Sequence, residues 1–483
     1  MPTLQTMKTS RLILLFVLLL CPIRAEAQAI RYELGQRTRT CEIAWDAQPD
    51  AAARKRATAF LKQAVTLFFS FKLNEAARAL DQARFALHSE TPPAPETQWA
   101  ESLYFTPESR LIDKSATQLS GTIAELYSVT KENPASATIS LTLQSQQAKG
   151  KGKPFEFAVT SLPLQITLPL NSARLSEGDY TLWTQLRVAG RTLTTTSRTI
   201  SIVAGLTARL AALKLVVAGF TTTSTEIETA KSLTALLDSL AQKQTLETNY
   251  PAARLLNEAE AVVKAINAGR SFYGNQKTGQ FWLTLATAKG ALVTRINAPE
   301  AVKTGKPLPL VIALHGAGGS ENMFFDTYGH GEIVRLSEQH GWLLVSPRGM
   351  GMNPDRVPAL LDEIARLYPV DRQRVFIVGH SMGAAQTVAV SQLAPEKFAA
   401  VAALGGGGAI KTVTDQFRAL PFYIGIGTED FALRNAKGLK DSLEKAEVRK
   451  VQYREYLDIE HLFIVQVALK DVFAFFESAA GSR

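Results

Sequence analysis

The chain has 483 residues, 46% hydrophobic and 20% charged, with a formal net charge of +9. These values exclude a fibrous, low-complexity or wholly disordered chain, and the length exceeds what one hydrophobic core supports. The positive balance is modest and no nucleic-acid motif accompanies it, so neither DNA nor RNA is an expected partner.

In chain order, the first predicted element is an apolar run from Leu12 to Cys21. Lys8 and Arg11 precede it, and Pro22 and the small-residue pattern Ala25-Glu26-Ala27 follow. The run is too short to span a bilayer and has the layout of a secretory signal over residues 1–27, cleaved after Ala27. Met7 suits that layout as initiator better than Met1, and Leu20 is a poor residue to precede a lipidated Cys21. The mature chain would carry a charge of +7 and one cysteine, Cys41, leaving no intramolecular disulfide. A periplasmic or secreted bacterial protein, stable through its cores alone, is the expectation.

Residues 28–95 read as a helical hairpin and a linker. The apolar spacing of Ala53, Ala57, Leu61, Ala64 and Val65, then of Ala76, Ala77, Leu80, Ala83 and Leu87, is helical, and the proline-rich stretch from Glu90 to Pro95 ends it. Residues 100–204 change to short alternating runs, at Gln118 to Tyr127, Thr138 to Leu143, Phe155 to Val159, Leu164 to Leu168, Tyr180 to Val188 and Leu193 to Ile202. That pattern predicts a small β-sandwich of immunoglobulin-like type. Residues 205–272 return to helical spacing and read as a connector packed on the C-terminal domain.

Residues 273–483 alternate β and α. A hairpin at Phe281 to Leu285 and Ala291 to Ile296 leads into strands at Leu310 to Leu314, Trp342 to Ser346, Val375 to Val378, Ala400 to Leu404, Phe422 to Ile426 and Val451 to Tyr456. Runs apolar on both faces, separated by helices, predict a doubly wound sheet of mostly parallel strands.

The chemistry gathers in this last region. Gly379-His380-Ser381-Met382-Gly383 lies between a strand and a helix, where a sharp turn lifts a serine clear of the sheet and leaves no room for flanking side chains. Ser381 is therefore the candidate nucleophile. Of the six histidines, only His461 follows both this turn and the last strand, so it is the candidate base. Asp430, past the end of the seventh strand in Gly427-Thr428-Glu429-Asp430, is the candidate acid, with Glu429 as the alternative. Backbone N–H groups of Met382 and of Ala317 or Gly318, in the loop His315-Gly316-Ala317-Gly318-Gly319, are the candidate donors to a developing oxyanion. His315 would brace that loop. Phe324, Phe325 and Tyr328 either line the pocket or lie buried beneath it.

The loop from Leu314, the segment from Val370 through Ser381 and the Gly427-to-Asp430 turn together resemble the α/β-hydrolase superfamily. Within it they resemble secreted esterases of polyhydroxybutyrate depolymerase-like, feruloyl esterase-like and phospholipase/carboxylesterase-like type. The likeness covers roughly residues 275–480. It implies ester cleavage through an acyl-serine, with no metal or organic cofactor. The expected partner is an ester substrate, with a polymer or cell-surface carbohydrate as candidates, and oligomeric state stays open. A serine peptidase of prolyl-oligopeptidase-like type and a non-catalytic binding protein are the alternatives. Ile459-Glu460-His461 departs from the Gly-Gly-His or Gly-His frequent in such proteins. Only Gly405 to Leu420 separate the sixth and seventh strands, which predicts a site without a lid, suited to exposed ester linkages.

Overall fold

A computed structural model of the chain describes residues 28–129, 134–147, 152–170, 175–349 and 353–480. The expected leader over residues 1–27 lies outside the described residues. The described residues open on three helices, α1 (28–47), α2 (Ala51–Phe69) and α3 (Leu73–His88), and a short α4 (Pro95–Ser102). Asp50 caps α2, its carboxylate accepting from Ala52 N at 3.2 Å and Ala53 N at 3.0 Å, which satisfies donors that a helix start leaves free. Alanines dominate the α2–α3 seam, Ala57 and Ala64 against Ala76, Ala77 and Ala83, all buried. Small side chains let the two axes approach closely.

Helix α1 adds a member to the expected hairpin. Its buried face mixes Tyr32, Cys41 and Trp45 with Glu33, Arg37 and Glu42, so apolar periodicity does not reveal it. Arg37 pairs with Glu33 at 2.7 Å and with Asp81 of α3 at 2.9 Å. Arg198, from the β-sandwich, pairs with Glu33.

That sandwich contains β1 (Leu103–Pro107), β2 (Leu111–Asp113), β3 (Gln118–Glu125), β4 (Ala137–Ser145), β5 (Pro154–Ala158), β6 (Leu164–Pro169), β7 (Gly178–Val188) and β8 (Arg191–Val203). One sheet has the order β1-β3-β6 and the other β2-β8-β7-β4-β5. Strand β2 runs parallel to β8 and the other pairs are antiparallel. The two sheets form a β-sandwich whose first two strands go to different sheets. Phe105, Ile123 and Ile166 of one sheet meet Ile139, Leu141, Leu182 and Ile200 of the other in a shared core.

Helices α5 (Leu206–Ala218), α6 (Thr225–Ala241) and α7 (Ala252–Asn267) then lead into the large sheet. Its strands are β9 (Gly279–Thr287), β10 (Gly290–Ala298), β11 (Leu308–Leu314), β12 (Leu343–Pro347), β13 (Val370–His380), β14 (Ala400–Leu404), β15 (Phe422–Gly427) and β16 (Val451–Tyr456). They stand in the order β9-β10-β12-β11-β13-β14-β15-β16. Strands β11 to β16 are parallel to one another, and β9 and β10 form the antiparallel hairpin at one edge. Strand β13 begins at Val370, five residues before the apolar run that announces it.

Alternation along the strands sends side chains to two cores. Leu310 and Ile312 join a cluster with α5 to α7, α9 (Arg356–Leu367), α10 (Met382–Leu393) and α12 (Leu433–Lys445). Val311 and Ala313 join the opposite one, with α8 (Glu332–His340), α13 (Ile464–Ala480) and the N-terminal helices. A short α11 (Asp415–Ala419) lies between β14 and β15. Helices α1 to α3 thus pack against the large sheet, with Trp45 edge-on to Phe463 at 5.1 Å. Among the described residues, no helix is long and apolar enough to cross a membrane.

Candidate active site

Strand β13 ends at the turn that carries Ser381, whose φ of 56° and ψ of −114° are a strained conformation for an L-residue. The surroundings hold it there: Ser381 N donates to Leu404 O at 2.9 Å and Ala385 N donates to Ser381 O at 3.2 Å. A Cβ at Gly379 would overlap the carbonyl of Gly383, and one at Gly383 would overlap that of Leu314. Glycine is required at both flanks on steric grounds.

Three loops leaving the carboxyl ends of parallel strands bring the remaining groups to this serine. Ser381 Oγ lies 2.9 Å from His461 Nε2. His461 Nδ1 lies 2.9 and 3.0 Å from the two carboxylate oxygens of Asp430, and both residues are buried. Asp430 also accepts from Ala432 N at 2.7 Å, so the carboxylate is fixed by its own turn. Since a carboxylate only accepts, Nδ1 carries the imidazole proton and Nε2 is left to accept from Ser381 Oγ–H. Glu429 instead turns outward to Lys62 of α2, at 2.6 Å.

Glu460, which stands where a glycine was expected, anchors the turn that presents His461. Its carboxyl accepts from Leu462 N at 2.8 Å and Phe463 N at 3.0 Å, and burial pushes it up to about 7. Phe431 covers the outer side of the His461 ring, with centroids 4.3 Å apart.

The loop after β11 passes directly over the serine. A Cβ on Gly316 would come within 3.3 Å of Ser381 Cβ. His315 bonds to Gly316 O at 2.8 Å and accepts from Gly349 N at 3.2 Å, which fixes Nδ1 as its protonated nitrogen. Burial holds its imidazole below the ordinary value. Ala317 and Gly318 line the cavity beside Ser381, and Met382 opens α10 immediately after it. Among the described residues, no protein acceptor is bonded to the N–H of Met382 or Ala317. Both residues flank Ser381, and a helix start favours negative charge.

Two side chains connect these parts in a way the sequence did not suggest. His380, the variable residue inside the serine turn, points into the protein, 2.9 Å from His461 O through Nε2 and 2.6 Å from Tyr328 Oη through Nδ1. A carbonyl only accepts, so Nε2–H donates to it and the Tyr328 hydroxyl donates to Nδ1. That hydroxyl in turn accepts from Gly316 N at 3.4 Å. Burial, and then the neighbouring His461, hold His380 well below its ordinary pKa, so it serves as a neutral spacer between the loop and His461. Tyr328 accordingly reaches the cavity, while Phe324 and Phe325 lie buried beneath it.

The expectation of a site without a lid is corrected. A cavity of about 740 Å³ opens at Ser381 and His461, and α1 and α2 roof it with Arg31, Leu34, Val65 and Phe68. Arg31 donates to Gly318 O, Thr58 donates to Asp458 O at 2.6 Å, and Phe69 meets Phe431 edge-on at 5.9 Å. The β14–β15 connection is indeed too short for a roof. The cover comes from the opposite end of the chain, a long-range contact that local spacing does not encode.

Among the described residues, no group of three His, Cys, Asp or Glu side chains is placed to hold a metal ion. Residues 311–475, about a third of the chain, match the model of the alpha/beta hydrolase family. No curated protein matches the sequence. Among solved structures, the chain is similar to an S-formylglutathione hydrolase from Staphylococcus aureus, with 16% identity over 41% of this chain and 98% of that one, at a TM-score of 0.35. It is similar to the feruloyl esterase module from Clostridium thermocellum, with 12% identity over 42% of this chain and 88% of that one, at 0.35. A thermostable esterase aligns with 15% identity over 77% of this chain and 98% of its own, at 0.36. Likenesses this distant say nothing of substrate. The sheet order, the strained serine turn and the family match together make the C-terminal part of this chain an α/β-hydrolase domain.

Proposed function

We propose that this protein is an exported serine hydrolase that cleaves carboxylic esters through an acyl-serine intermediate, with Ser381 as nucleophile, His461 as base and Asp430 as its orienting acid. The observation that carries the reading is the unbroken hydrogen-bonded path from Asp430 through His461 to Ser381 Oγ. His461 Nε2 takes the hydroxyl proton as Oγ attacks the ester carbonyl, and Asp430 stabilises the imidazolium that results. Met382 N–H and Ala317 N–H, with Gly318 as the second choice in the loop, receive the oxyanion. Collapse of the tetrahedral species expels the alcohol, which takes the proton from Nε2. Water then enters and attacks the acyl carbonyl while giving a proton to the same nitrogen, and the acyl–Oγ bond breaks as Nε2 returns that proton to Ser381 Oγ, which releases the acid.

The roofed cavity favours an ester small enough to enter it, or a chain end, over the mid-chain linkages of a polymer. Export rests on the signal layout of residues 1–27. The test is hydrolysis of p-nitrophenyl esters of graded acyl length by the purified chain. Ser381→Ala should lower kcat at least about a thousandfold. Absence of hydrolysis across the series, or an active Ser381→Ala, would refute the reading.

A further inference from the structure

The wall that α1 presents to the cavity is cationic. Gln28, Arg31, Gly35, Thr38 and Arg39 follow one another at helical spacing and face the same space. Arg31 gives one donor to Gly318 O and Arg39 is exposed. Neither has an acidic partner within ion-pair distance among the described residues. The acids that line the cavity are already engaged: Glu247 with Arg348 at 3.3 Å, and Asp326 with Arg295 at 2.8 Å. Arg348 is itself held by Glu321 at 2.5 and 2.7 Å. Among the charged residues that line the cavity, Arg31, Arg39 and Arg348 outnumber Glu247 and Asp326, so the balance is positive, and Arg31 sits against the loop beside Ser381.

Between the two arginines stands Gly35, inside a helix, where glycine costs about 1 kcal/mol relative to alanine. Its backbone conformation does not require glycine, and nothing lies within 4 Å of where its Cβ would be. The missing side chain leaves room between Arg31 and Arg39. A guanidinium fork suits a carboxylate in particular.

We infer that the preferred substrate is an ester that carries a carboxylate, seated between Arg31 and Arg39 while its ester carbonyl lies at Ser381. This rests on the ester-hydrolase reading and narrows it. The carboxylate could belong to the acyl group or to the alcohol, and matched substrates separate the two. The first pair is the mono-p-nitrophenyl ester of glutaric acid with p-nitrophenyl valerate, and the second is 4-acetoxybenzoate with its methyl ester. Each kcat/KM is divided by the substrate's hydroxide-catalysed rate constant.

The expected result is an anionic-over-neutral ratio of about ten or more in one pair, carried by KM. It should fall severalfold in Arg39→Gln, whose exposed position spares the fold, and to about one in Arg31→Gln/Arg39→Gln. It should also shrink as salt is raised. Gly35→Leu should raise KM for the anionic member of that pair, and an unchanged KM would place the carboxylate elsewhere. Ratios near one in both pairs, with Ser381-dependent hydrolysis of the neutral esters, would overturn the inference and leave the parent reading standing, as would a ratio that survives the double substitution. No Ser381-dependent hydrolysis of any of the four esters would overturn both.

Discussion

Asp430→Asn separates the role of the acid from the geometry it shares with its neighbours. The substitution keeps size and shape, but it places an amide where two carboxylate oxygens stand 2.9 and 3.0 Å from His461 Nδ1. If the amide NH₂ faces Nδ1, that nitrogen must accept, the proton moves to Nε2, and the base loses the lone pair aimed at Ser381 Oγ. If the amide oxygen faces it, the tautomer survives but no negative charge remains to stabilise the imidazolium. The carboxylate side chain is 0% exposed and the imidazole 5% exposed, so water cannot stand in for either function. A serine triad deprived of its acid in this way loses about 10⁴ in kcat, or ~5.5 kcal/mol of transition-state stabilisation. The assay is steady-state hydrolysis of a p-nitrophenyl ester near pH 7.5, with Glu429→Gln as the paired control, since Glu429 lies in the same turn but bonds to Lys62. A loss below about tenfold in Asp430→Asn, or a comparable loss in Glu429→Gln, would refute the assignment of the acid.

Three further outcomes are expected from the packing around the site. Glu42 accepts from Gly329 N and His330 N at 3.1 and 3.0 Å, yet burial pushes its carboxyl up to about 8. The folded chain therefore keeps a proton that the unfolded chain releases near 4.5, so this residue's stabilisation is complete below about pH 4.5 and is lost as pH rises towards 8. In urea unfolding, Glu42→Gln should flatten that fall by on the order of a few kcal/mol, and a wild-type slope in the variant would contradict the assignment. Tyr328→Phe removes the hydroxyl that His380 Nδ1 needs, at a cost of about 1–3 kcal/mol, and should lower kcat about tenfold with little change in KM; unaltered kcat would show that the brace is idle. Gly383→Ala forces a Cβ into the Leu314 carbonyl and should abolish cooperative melting, whereas Gly438→Ala, in open space on α12, should cost nothing or add up to about 1 kcal/mol. A native-like melt for Gly383→Ala would mean that the turn is less tightly built than its geometry indicates.

The catalytic sheet was legible because its strands are buried on both faces and end in turn residues, as at Leu310 to Leu314 and Ala400 to Leu404. The serine turn announced itself through two glycines whose absent side chains are sterically enforced. Helix α1 escaped because its inner face carries Glu33, Arg37 and Glu42, whose burial becomes favourable only once Arg198, Asp81 and the Gly329 and His330 N–H groups arrive from distant segments. The roof over the cavity was hidden for the same reason: Thr58 reaches Asp458 across 400 residues of sequence, and no local pattern encodes such a contact. The brace through His380 lay in plain view as the variable position of the motif, but its partners, Tyr328 and the His461 carbonyl, are fixed only by the fold.

The central claim is that Ser381 is an activated nucleophile, and its most direct test is reaction of the full chain with a fluorophosphonate, read by intact mass and peptide mapping. The account predicts stoichiometric phosphonylation of the peptide that contains Ser381, absent from Ser381→Ala and slowed by orders of magnitude in His461→Ala. A folded wild-type chain that stays unmodified, or one modified at another residue, would contradict it.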